Sequence, residues 1–306
     1  SAQVYLDLKR RGLDVHLVSK PVPGQICVVP YYYLAPRDLL FKSYIVACQH
    51  DTPHPALYDR CIVLNPLRVL DEKHHLLPHR PQPGLKPRDW ARGTTVKNLV
   101  FKGHHYNLVA PFQSPEFLAK LDAMGIKLVM STEDSQSAFQ DWCDYTEADV
   151  LVAVRNNTTF DISLKPALKL INAWFAGCPA ILGPEPAYQA LRQSELDYIE
   201  VRTPEEAIAA LQRLKDNPDL YLAMVENGFR RAKQFTADQV CLAWRNLLAG
   251  PIAQGYEQWL QQPALYKAIG RPIRFMRQVL MHRLEKQLYM YRIKHGKRIL
   301  TTPTKP

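Results

Sequence analysis

The sequence predicts an α/β fold with two doubly wound, Rossmann-like domains and a helical C-terminal tail. Short, continuous apolar runs recur along the 306 residues, and such runs are typical of parallel strands that are buried on both faces. Helical patterns alternate with them, which is the order of elements in a doubly wound sheet. A chain of this length with 47% hydrophobic residues is long enough for about two domains.

The first domain, together with its linker, is predicted over residues 1–93. Residues 2–12 fit a helix that ends at Gly12, and residues 13–19 fit a strand. A doubly wound domain normally starts with a strand before its first helix. No such strand precedes the first helix here, so we expect this domain to be small and either truncated at its N-terminus or to begin with the end of a strand–helix loop.

Three further strands of the first domain are predicted at residues 25–29, 44–48 and 61–64. His50 and Asp51 follow the second of them, and open α/β sheets bind ligands at the carboxyl ends of their strands. Asp51, or His50 oriented by Asp51, fits a general base toward a hydroxyl group. Alternatively, Asp51 is a helix cap ahead of a proline, and the two roles do not exclude each other.

A linker rich in histidine, arginine and proline covers residues 74–93. Its histidines have no carboxylate or cysteine partner at the spacing of a metal site, so no metal is expected there. The composition favours a solvated linker, and a ligand contact by Gln82 or Arg88 is the alternative.

The second domain is predicted over residues 94–250, and it begins with a strand at residues 96–101. Gly103 follows this strand, and a glycine lets the backbone approach a ligand closely, although a lone glycine after a strand is common. A later buried strand at residues 149–154 ends at Arg155. The other predicted elements are strands at 126–130, 179–182 and 198–201, and helices at 114–124, 134–145, 186–192, after Thr203 and within 218–248.

The most informative stretch is residues 164–188. Pro166 suits the first turn of a helix, and Gly177 suits its C-cap. Lys165 and Lys169 are one turn apart on one face, near the helix N-terminus, where free backbone N–H groups favour an anion. Two ammonium groups at such a place fit a diphosphate, and the alternative is two solvated lysines on an exposed helix face.

The tail, predicted over residues 251–306, carries most of the net charge of +10. From residue 271 onward it contains ten Lys or Arg residues and one glutamate, and a charge confined to a tail predicts no nucleic-acid partner. Apolar residues recur there at helical spacing, namely Ile273, Met276, Leu280, Leu284, Leu288 and Tyr291. We expect this stripe to pack on the first domain, and the alternative is contact of residues 271–298 with an anionic membrane surface.

Cysteine usage and hydropathy predict a cytoplasmic protein. The six cysteines are scattered singly, without metal or redox spacing, and are expected to be reduced. No apolar run approaches the roughly 20 residues of a membrane span, and charged residues interrupt the N-terminus. A peripheral position at the inner face of the membrane accompanies the alternative role of the tail.

The pattern KPxxKxxNAWxAGxPxxxGxExxY, from Lys165 to Tyr188, resembles a bacterial subgroup of GT-B-fold glycosyltransferases. This resemblance implies two α/β domains that face each other and hexosyl transfer from a nucleotide sugar to an acceptor hydroxyl. It implies no cofactor besides the nucleotide sugar as donor substrate and no protein-bound metal, because cationic side chains would stabilise the leaving group. The acceptor is expected to be a saccharide or a lipid.

The resemblance also implies roles for individual residues. Lys165, Lys169 and Arg155 would hold the donor diphosphate, and Gly103 would let the backbone approach it. Asn172, Glu185 and Tyr188 would contact the ribose or the sugar, and His50 with Asp51 would face the acceptor.

One departure from the family pattern concerns a pair of glutamates eight residues apart in many retaining members. The two positions are Leu164 and Asn172 here, and neither is acidic. The stereochemistry of transfer is therefore not predicted, and a catalytically inactive scaffold that binds nucleotides or saccharides is the alternative function. A Rossmann oxidoreductase is not expected, because no G-x-G-x-x-G follows a strand.

Overall fold

The structure is a computed structural model that describes residues 2–38, 40–50, 56–131 and 138–301. Its contacts divide the chain into two compact units. Unit 1 comprises Ser1–Pro78, Ser163–Pro166 and Ala237–Gly296, and unit 2 comprises His79–Ile162, Ala167–Thr236 and Lys297–Pro306. Each unit contains its own parallel sheet, which confirms the predicted α/β class; the domain bounds given above stay a prediction.

The regular elements are numbered in chain order. The strands are β1 (Ile26–Pro30), β2 (Tyr44–Cys48), β3 (Arg60–Val63), β4 (His74–Leu76), β5 (Asn98–Phe101), β6 (Lys127–Met130), β7 (Val150–Ala153), β8 (Ala180–Leu182) and β9 (Ile199–Glu200). The helices are α1 (Ala2–Arg10), α2 (Pro115–Ala123), α3 (Ala138–Cys143), α4 (Thr159–Ile162), α5 (Leu168–Ala176), α6 (Pro186–Leu191), α7 (Pro204–Asp216), α8 (Pro218–Ala232), α9 (Ala237–Leu247), α10 (Ala253–Leu260) and α11 (Arg271–His295).

The sheet of unit 1 has the strand order β1-β2-β3-β4, and all its neighbouring pairs are parallel. Its central strands are apolar and buried, as continuous hydrophobic runs require. The strand predicted at residues 13–19 is wrong, because this segment has no regular structure. Leu17 and Val18 are 68% and 54% exposed there, so they bury too little surface to hold a strand against a sheet.

The sheet of unit 2 has the order β6-β5-β7-β8-β9 with every neighbouring pair parallel. The first strand of this unit, β5, therefore lies between the second and the third, and the strand order reverses between β5 and β7. A reversal of this kind opens a crevice at the carboxyl ends of the two strands, where doubly wound sheets bind ligands. The strand order thus points to one edge of the sheet as the place to look for a site.

A buried carboxylate holds the opposite, amino ends of β5 and β7. Asp149, which directly precedes β7, is fully buried and accepts hydrogen bonds from the Lys97 and Asn98 amides at 2.9 and 2.8 Å. Arg88 donates to it at 2.9 Å, and Arg92 donates through two nitrogens at 2.8 Å. Burial raises the pKa of Asp149, but the hydrogen bonds from Arg92, the two amides and Arg88 outweigh burial and hold this pKa below its usual value.

Helix α11 packs on unit 1 through a polar and aromatic face. The Arg271 guanidinium donates to the Phe41 and Ser43 carbonyls at 2.8 and 3.1 Å and pairs with Asp59 at 3.3 Å. Phe275 and His282 lie on the same side of the helix, and Phe275 packs against the Phe41 ring. This face anchors the helix because its charged groups are paired and its aromatic groups are covered.

The apolar stripe of α11 lies on the other side, so the expectation that it packs on the first domain is wrong. Its side chains are between 44% and 65% exposed, namely Ile273, Met276, Leu280, Leu284, Leu288 and Tyr291. Arg271 forms a buried ion pair with Asp59, and this pair fixes which side of α11 faces the sheet. The apolar stripe on the opposite side therefore faces solvent. Within the described residues, no helix combines the length and hydrophobicity that a bilayer crossing needs.

We predict that Asp149→Asn destabilises the protein by about 3–5 kcal/mol, because it leaves two arginines around a buried site without their counter-charge. Urea unfolding monitored by circular dichroism measures this loss. Glu205→Gln, which removes an exposed partner of Lys120, is the control and should leave the unfolding midpoint unchanged. Equal midpoints for the two variants would contradict the anchoring role of Asp149.

Candidate functional site

Three predicted site residues meet at the carboxyl edge of the unit 2 sheet. Gly103 comes two residues after β5, Arg155 two residues after β7, and Glu185 three residues after β8. Because these strands are parallel neighbours, their ends lie side by side, on both flanks of the reversal in strand order. Lys169 joins them from the first turn of α5.

Arg155 and Glu185 form a buried, two-pronged ion pair. The Arg155 Nε and Nη2 donate to the two Glu185 oxygens at 2.7 and 2.5 Å, and the side chains are only 11% and 1% exposed. The Tyr188 hydroxyl, on a fully buried ring, lies 3.4 Å from Arg155 Nη2. Burial lowers the pKa of Arg155, but the attraction of Glu185 outweighs it and raises this pKa overall, so the guanidinium is a fixed cation.

Lys169 is the cation at this edge whose charged form is destabilised by its surroundings. Its ammonium donates to the Lys102 carbonyl and lies 4.9 Å from the centre of the Phe101 ring. Burial, followed by repulsion from Arg155, lowers the pKa of Lys169 to about 7, against a weaker opposite effect of Glu185. Among the described residues no carboxylate forms an ion pair with it, so an incoming anion would supply the missing counter-charge.

Gly103 has a backbone conformation that favours glycine. Its φ is +145°, and a Cβ placed there would lie 3.2 Å from Lys169 Nζ. Its amide donates to the Ser131 hydroxyl at 3.2 Å, and that hydroxyl donates to the Phe101 carbonyl at 3.1 Å. Gly103 therefore makes room for the lysine, while its own N–H is held by Ser131.

Helix α5 begins later than the sequence suggests. It starts at Leu168, and the capping position Ala167 offers no side chain to its free N–H groups. Lys165 lies ahead of the helix, in unit 1, so its predicted place in the first turn is wrong. The Lys165 carbonyl accepts a hydrogen bond from Asn65 at 2.9 Å, and this contact holds the segment outside the helix. Gly177 ends α5 with φ +73°, as predicted.

Asn172 is buried inside unit 2. Its Oδ1 accepts from the Gln82 amide at 3.0 Å, and its Nδ2 donates to the Gln82 side chain at 3.3 Å. The asparagine thus holds the segment around Gln82 on α5, and its contact with a sugar stays a prediction. The linker residue Arg88 contacts Asp149 and three carbonyls and is 2% exposed, so the solvated linker expected from composition is wrong at this residue.

The residues predicted on the acceptor side belong to unit 1. His50 follows β2 at its carboxyl end and is half-buried. Asp51 lies outside the described residues, so its role as base or helix cap stays a prediction. Within the described residues, no three His, Cys, Asp or Glu side chains gather as a metal site requires.

The unit 2 edge has the chemistry of an anion site. It combines an uncapped helix N-terminus, a fixed guanidinium and a half-buried ammonium with a lowered pKa. Ser131 was not recognised as part of this edge, although its position directly after β6 is a signal that could have found it. Asp149 was missed because a single aspartate before a strand carries no pattern of its own.

We predict that Lys169 makes the stability of the protein depend on pH above neutrality. The pKa of Lys169 is about 7 in the folded protein and 10.5 for an ordinary lysine, such as in the unfolded chain. Between these two pH values the unfolded chain binds more protons than the folded protein. The free energy of unfolding therefore rises with pH in this range. Lys169→Met should abolish this part of the rise. Thermal unfolding at pH 7 and pH 9 measures it, with Lys127→Met at an exposed position as the control. The same slope in both variants would contradict a lowered pKa of Lys169 in the folded protein.

No protein-family model matches the chain, and no curated protein matches it by sequence. Solved structures do match. Sucrose-phosphate synthase from Thermosynechococcus elongatus is 16% identical with a TM-score of 0.50, over 75% of this chain and 74% of that one.

Two further solved structures match the chain. The GtfA/B complex matches with 11% identity and a TM-score of 0.51, over 84% of this chain. The pneumococcal O-GlcNAc transferase GtfA in complex with UDP and GlcNAc matches with 11% identity and a TM-score of 0.52, over 81% of this chain. The present chain spans 60% of the length of each of these two. At such identities the likeness concerns the fold, and it agrees with the GT-B-like α/β fold that the sequence motif predicts.

Proposed function

We propose that the protein transfers a hexosyl group from a nucleotide-sugar donor to an acceptor hydroxyl, with the donor diphosphate at the carboxyl edge of the unit 2 sheet. The observation that carries this proposal is the convergence of Gly103, Arg155 and Lys169 where the strand order reverses. The folds of sucrose-phosphate synthase and of GtfA, which was solved with UDP and GlcNAc, support it.

The diphosphate would sit against Lys169 and the N-terminus of α5. A phosphate oxygen near the ammonium offsets its burial and the repulsion from Arg155, so binding restores the proton that the free protein holds weakly. The same ammonium then stabilises the negative charge that develops on the leaving nucleoside diphosphate. Lys165 is proposed as a further phosphate contact, and no metal is invoked for this step.

The Arg155–Glu185 pair would contact the ribose or the sugar of the donor. Arg155 uses one lone pair on each Glu185 oxygen, so the carboxylate keeps lone pairs for ribose or sugar hydroxyls. The Tyr188 hydroxyl accepts from the Arg155 guanidinium and helps to position it, and contact of Tyr188 with the ribose or sugar is part of the proposal. Asn172 positions the segment around Gln82 in the same way.

The acceptor hydroxyl would meet His50 and Asp51, with Asp51 or an Asp51-oriented His50 as the general base. A saccharide or lipid acceptor fits this chemistry. The proposed location is the cytoplasm.

The test is binding and turnover with the diphosphates and sugar nucleotides of uridine, guanosine, cytidine, adenosine and thymidine. One nucleotide should raise the melting temperature, and a ligand at 100 times its Kd stabilises by about 2.7 kcal/mol. Lys169→Met should lose most of this shift and of the turnover, whereas Lys127→Met, which removes an exposed lysine, should keep both. Calorimetry at pH 8 in two buffers should show proton uptake on binding.

The outcomes separate the alternatives. A shift in melting temperature without turnover or slow hydrolysis would favour the inactive scaffold. The non-acidic residues Leu164 and Asn172 are the sequence feature that supports this alternative. Equal shifts for the wild type and Lys169→Met would contradict a diphosphate at this edge.

We infer a second, peripheral role for α11 from its exposed apolar stripe, namely contact with an anionic membrane surface. Basic residues flank the stripe and are exposed, among them Arg277, Arg283, Lys286, Arg292 and Lys294. A helix with an apolar side and cationic flanks is suited to the headgroup region of an anionic bilayer, where each Lys or Arg contributes on the order of 1 kcal/mol. Charge complementarity favours this occupant over a second copy of a chain that is itself cationic here.

We predict that vesicles with phosphatidylserine pull down the protein at low salt and release it at high salt. The double variant Leu280→Asp/Leu284→Asp should abolish binding, since it charges the centre of the stripe. Leu222→Asp, an equally exposed leucine on α8, should leave binding intact. Retained binding by the double variant, or dimerisation of the wild type that this variant abolishes, would overturn the membrane role.

A further inference from the structure

Unit 1 contains a polar cavity of about 110 Å³ between its sheet and the helices α10 and α11. Its wall includes Tyr44 from β2, Arg60 from β3, Trp259 from α10 and Arg274 from α11. One water needs only about 10–15 Å³ of such space, so the cavity has room for a small polyatomic ligand. The exposed Gln258 on its wall shows that it opens to solvent.

Three buried polar atoms at this cavity have no hydrogen-bond partner within the described residues: the Tyr44 hydroxyl, the Trp259 indole nitrogen and the Gln262 Oε1. Tyr44 and Trp259 are 2% and 7% exposed, so their polar atoms lie away from the outer surface and no described residue pairs with them. Burial raises the pKa of Tyr44 to about 12, which keeps its hydroxyl a donor at neutral pH. Two donors are therefore available to an acceptor in the cavity.

The charge around the cavity is positive. Arg60, Lys73 and Arg274 line it, and Asp59 is the carboxylate among the described lining residues. Asp59 already accepts from the Ile45 amide at 3.0 Å and pairs with Arg271 and Arg274, each at 3.3 Å. The Lys73 ammonium makes no hydrogen bond to the described residues, so its charge is available to a ligand.

Gly255 shapes the wall of the cavity. A Cβ at this position would lie 2.1 Å from the Tyr44 hydroxyl oxygen and 2.7 Å from Arg60 Nη2. The absence of a side chain on α10 is what lets both groups reach this depth. The Tyr44 ring is fixed there by edge-on contact with Trp259, at 6.2 Å between ring centres.

We propose that this cavity binds a tetrahedral oxyanion of the phosphate class, with Arg60, Lys73 and Arg274 supplying charge and the Tyr44 hydroxyl and Trp259 indole N–H donating hydrogen bonds. Donors in excess of acceptors, with a net positive wall, match the four oxygens of a phosphate group. The ligand is either free phosphate or the phosphomonoester of a larger molecule, which enters through the open side. The site rests on unit 1 alone and stands independently of the proposed transfer reaction.

The test is calorimetric titration with inorganic phosphate and, separately, with glycerol 3-phosphate, at constant ionic strength set by chloride. Saturable binding is expected, and Lys73→Met should weaken it at least tenfold. Lys9→Met, which removes an exposed lysine from α1 of the same unit, should bind as the wild type does. The tighter of the two ligands identifies the source of the phosphate group.

A second variant distinguishes a loss of phosphate binding from a loss of folding. Tyr44→Phe keeps the ring and its packing and removes only the unpartnered hydroxyl, so it should weaken phosphate binding while leaving the melting temperature without phosphate nearly unchanged. The Trp259 indole N–H resonance, assigned with Trp259→Phe, should shift on titration. No saturable binding by either ligand, an equal loss in Lys73→Met and Lys9→Met, or an unmoved Trp259 resonance would overturn the proposal.

Discussion

The buried carboxylate of Asp149 is the interaction on which the candidate site depends. It gathers two arginines from the linker and two amides at the start of β5, and it directly precedes β7. Because β5 and β7 are only four residues long, fixing their amino ends also fixes where their carboxyl ends deliver Gly103 and Arg155. A carboxylate that is fully buried is stable only while all these donors are present, so the geometry of the site and the stability of unit 2 share one origin.

At the carboxyl edge of the same sheet, one cation has a matching carboxylate in the described part of the chain and another does not, in contrast to the fully paired Asp149 at the amino ends. Arg155 is fully matched by Glu185, whereas Lys169 is half-buried beside that pair with a pKa of about 7, and among the described residues its ammonium contacts a carbonyl and an aromatic face but no carboxylate. A partly desolvated cation without a matching anion destabilises the free protein, and it gains most from an anionic ligand. The cost in stability and the capacity to bind a diphosphate are therefore two consequences of the same side chain.

Much of the fold was predictable, because it follows from local patterns. Apolar runs located the parallel strands except β4, which lies in the predicted linker, although the run at residues 13–19 forms no strand; Gly177 ended α5 as its residue type indicates. Long-range contacts were not predictable: the late start of α5 accompanies an Asn65–Lys165 hydrogen bond across 100 residues, and the outward turn of the α11 stripe follows from the Arg271–Asp59 pair. Helical spacing identified that stripe but could not tell which side of the helix a buried ion pair would select. Ser131 and the pairing of Asn172 with Gln82 also required the assembled unit.

A crystal structure of the protein with the nucleoside diphosphate that it binds most tightly would test the central claim most directly. We predict that the diphosphate lies against the Lys169 ammonium and the free amides at the start of α5, beside Gly103, with the ribose toward Glu185. A nucleotide bound away from the ends of β5 and β7, or bound there without any contact to Lys169, would contradict the account.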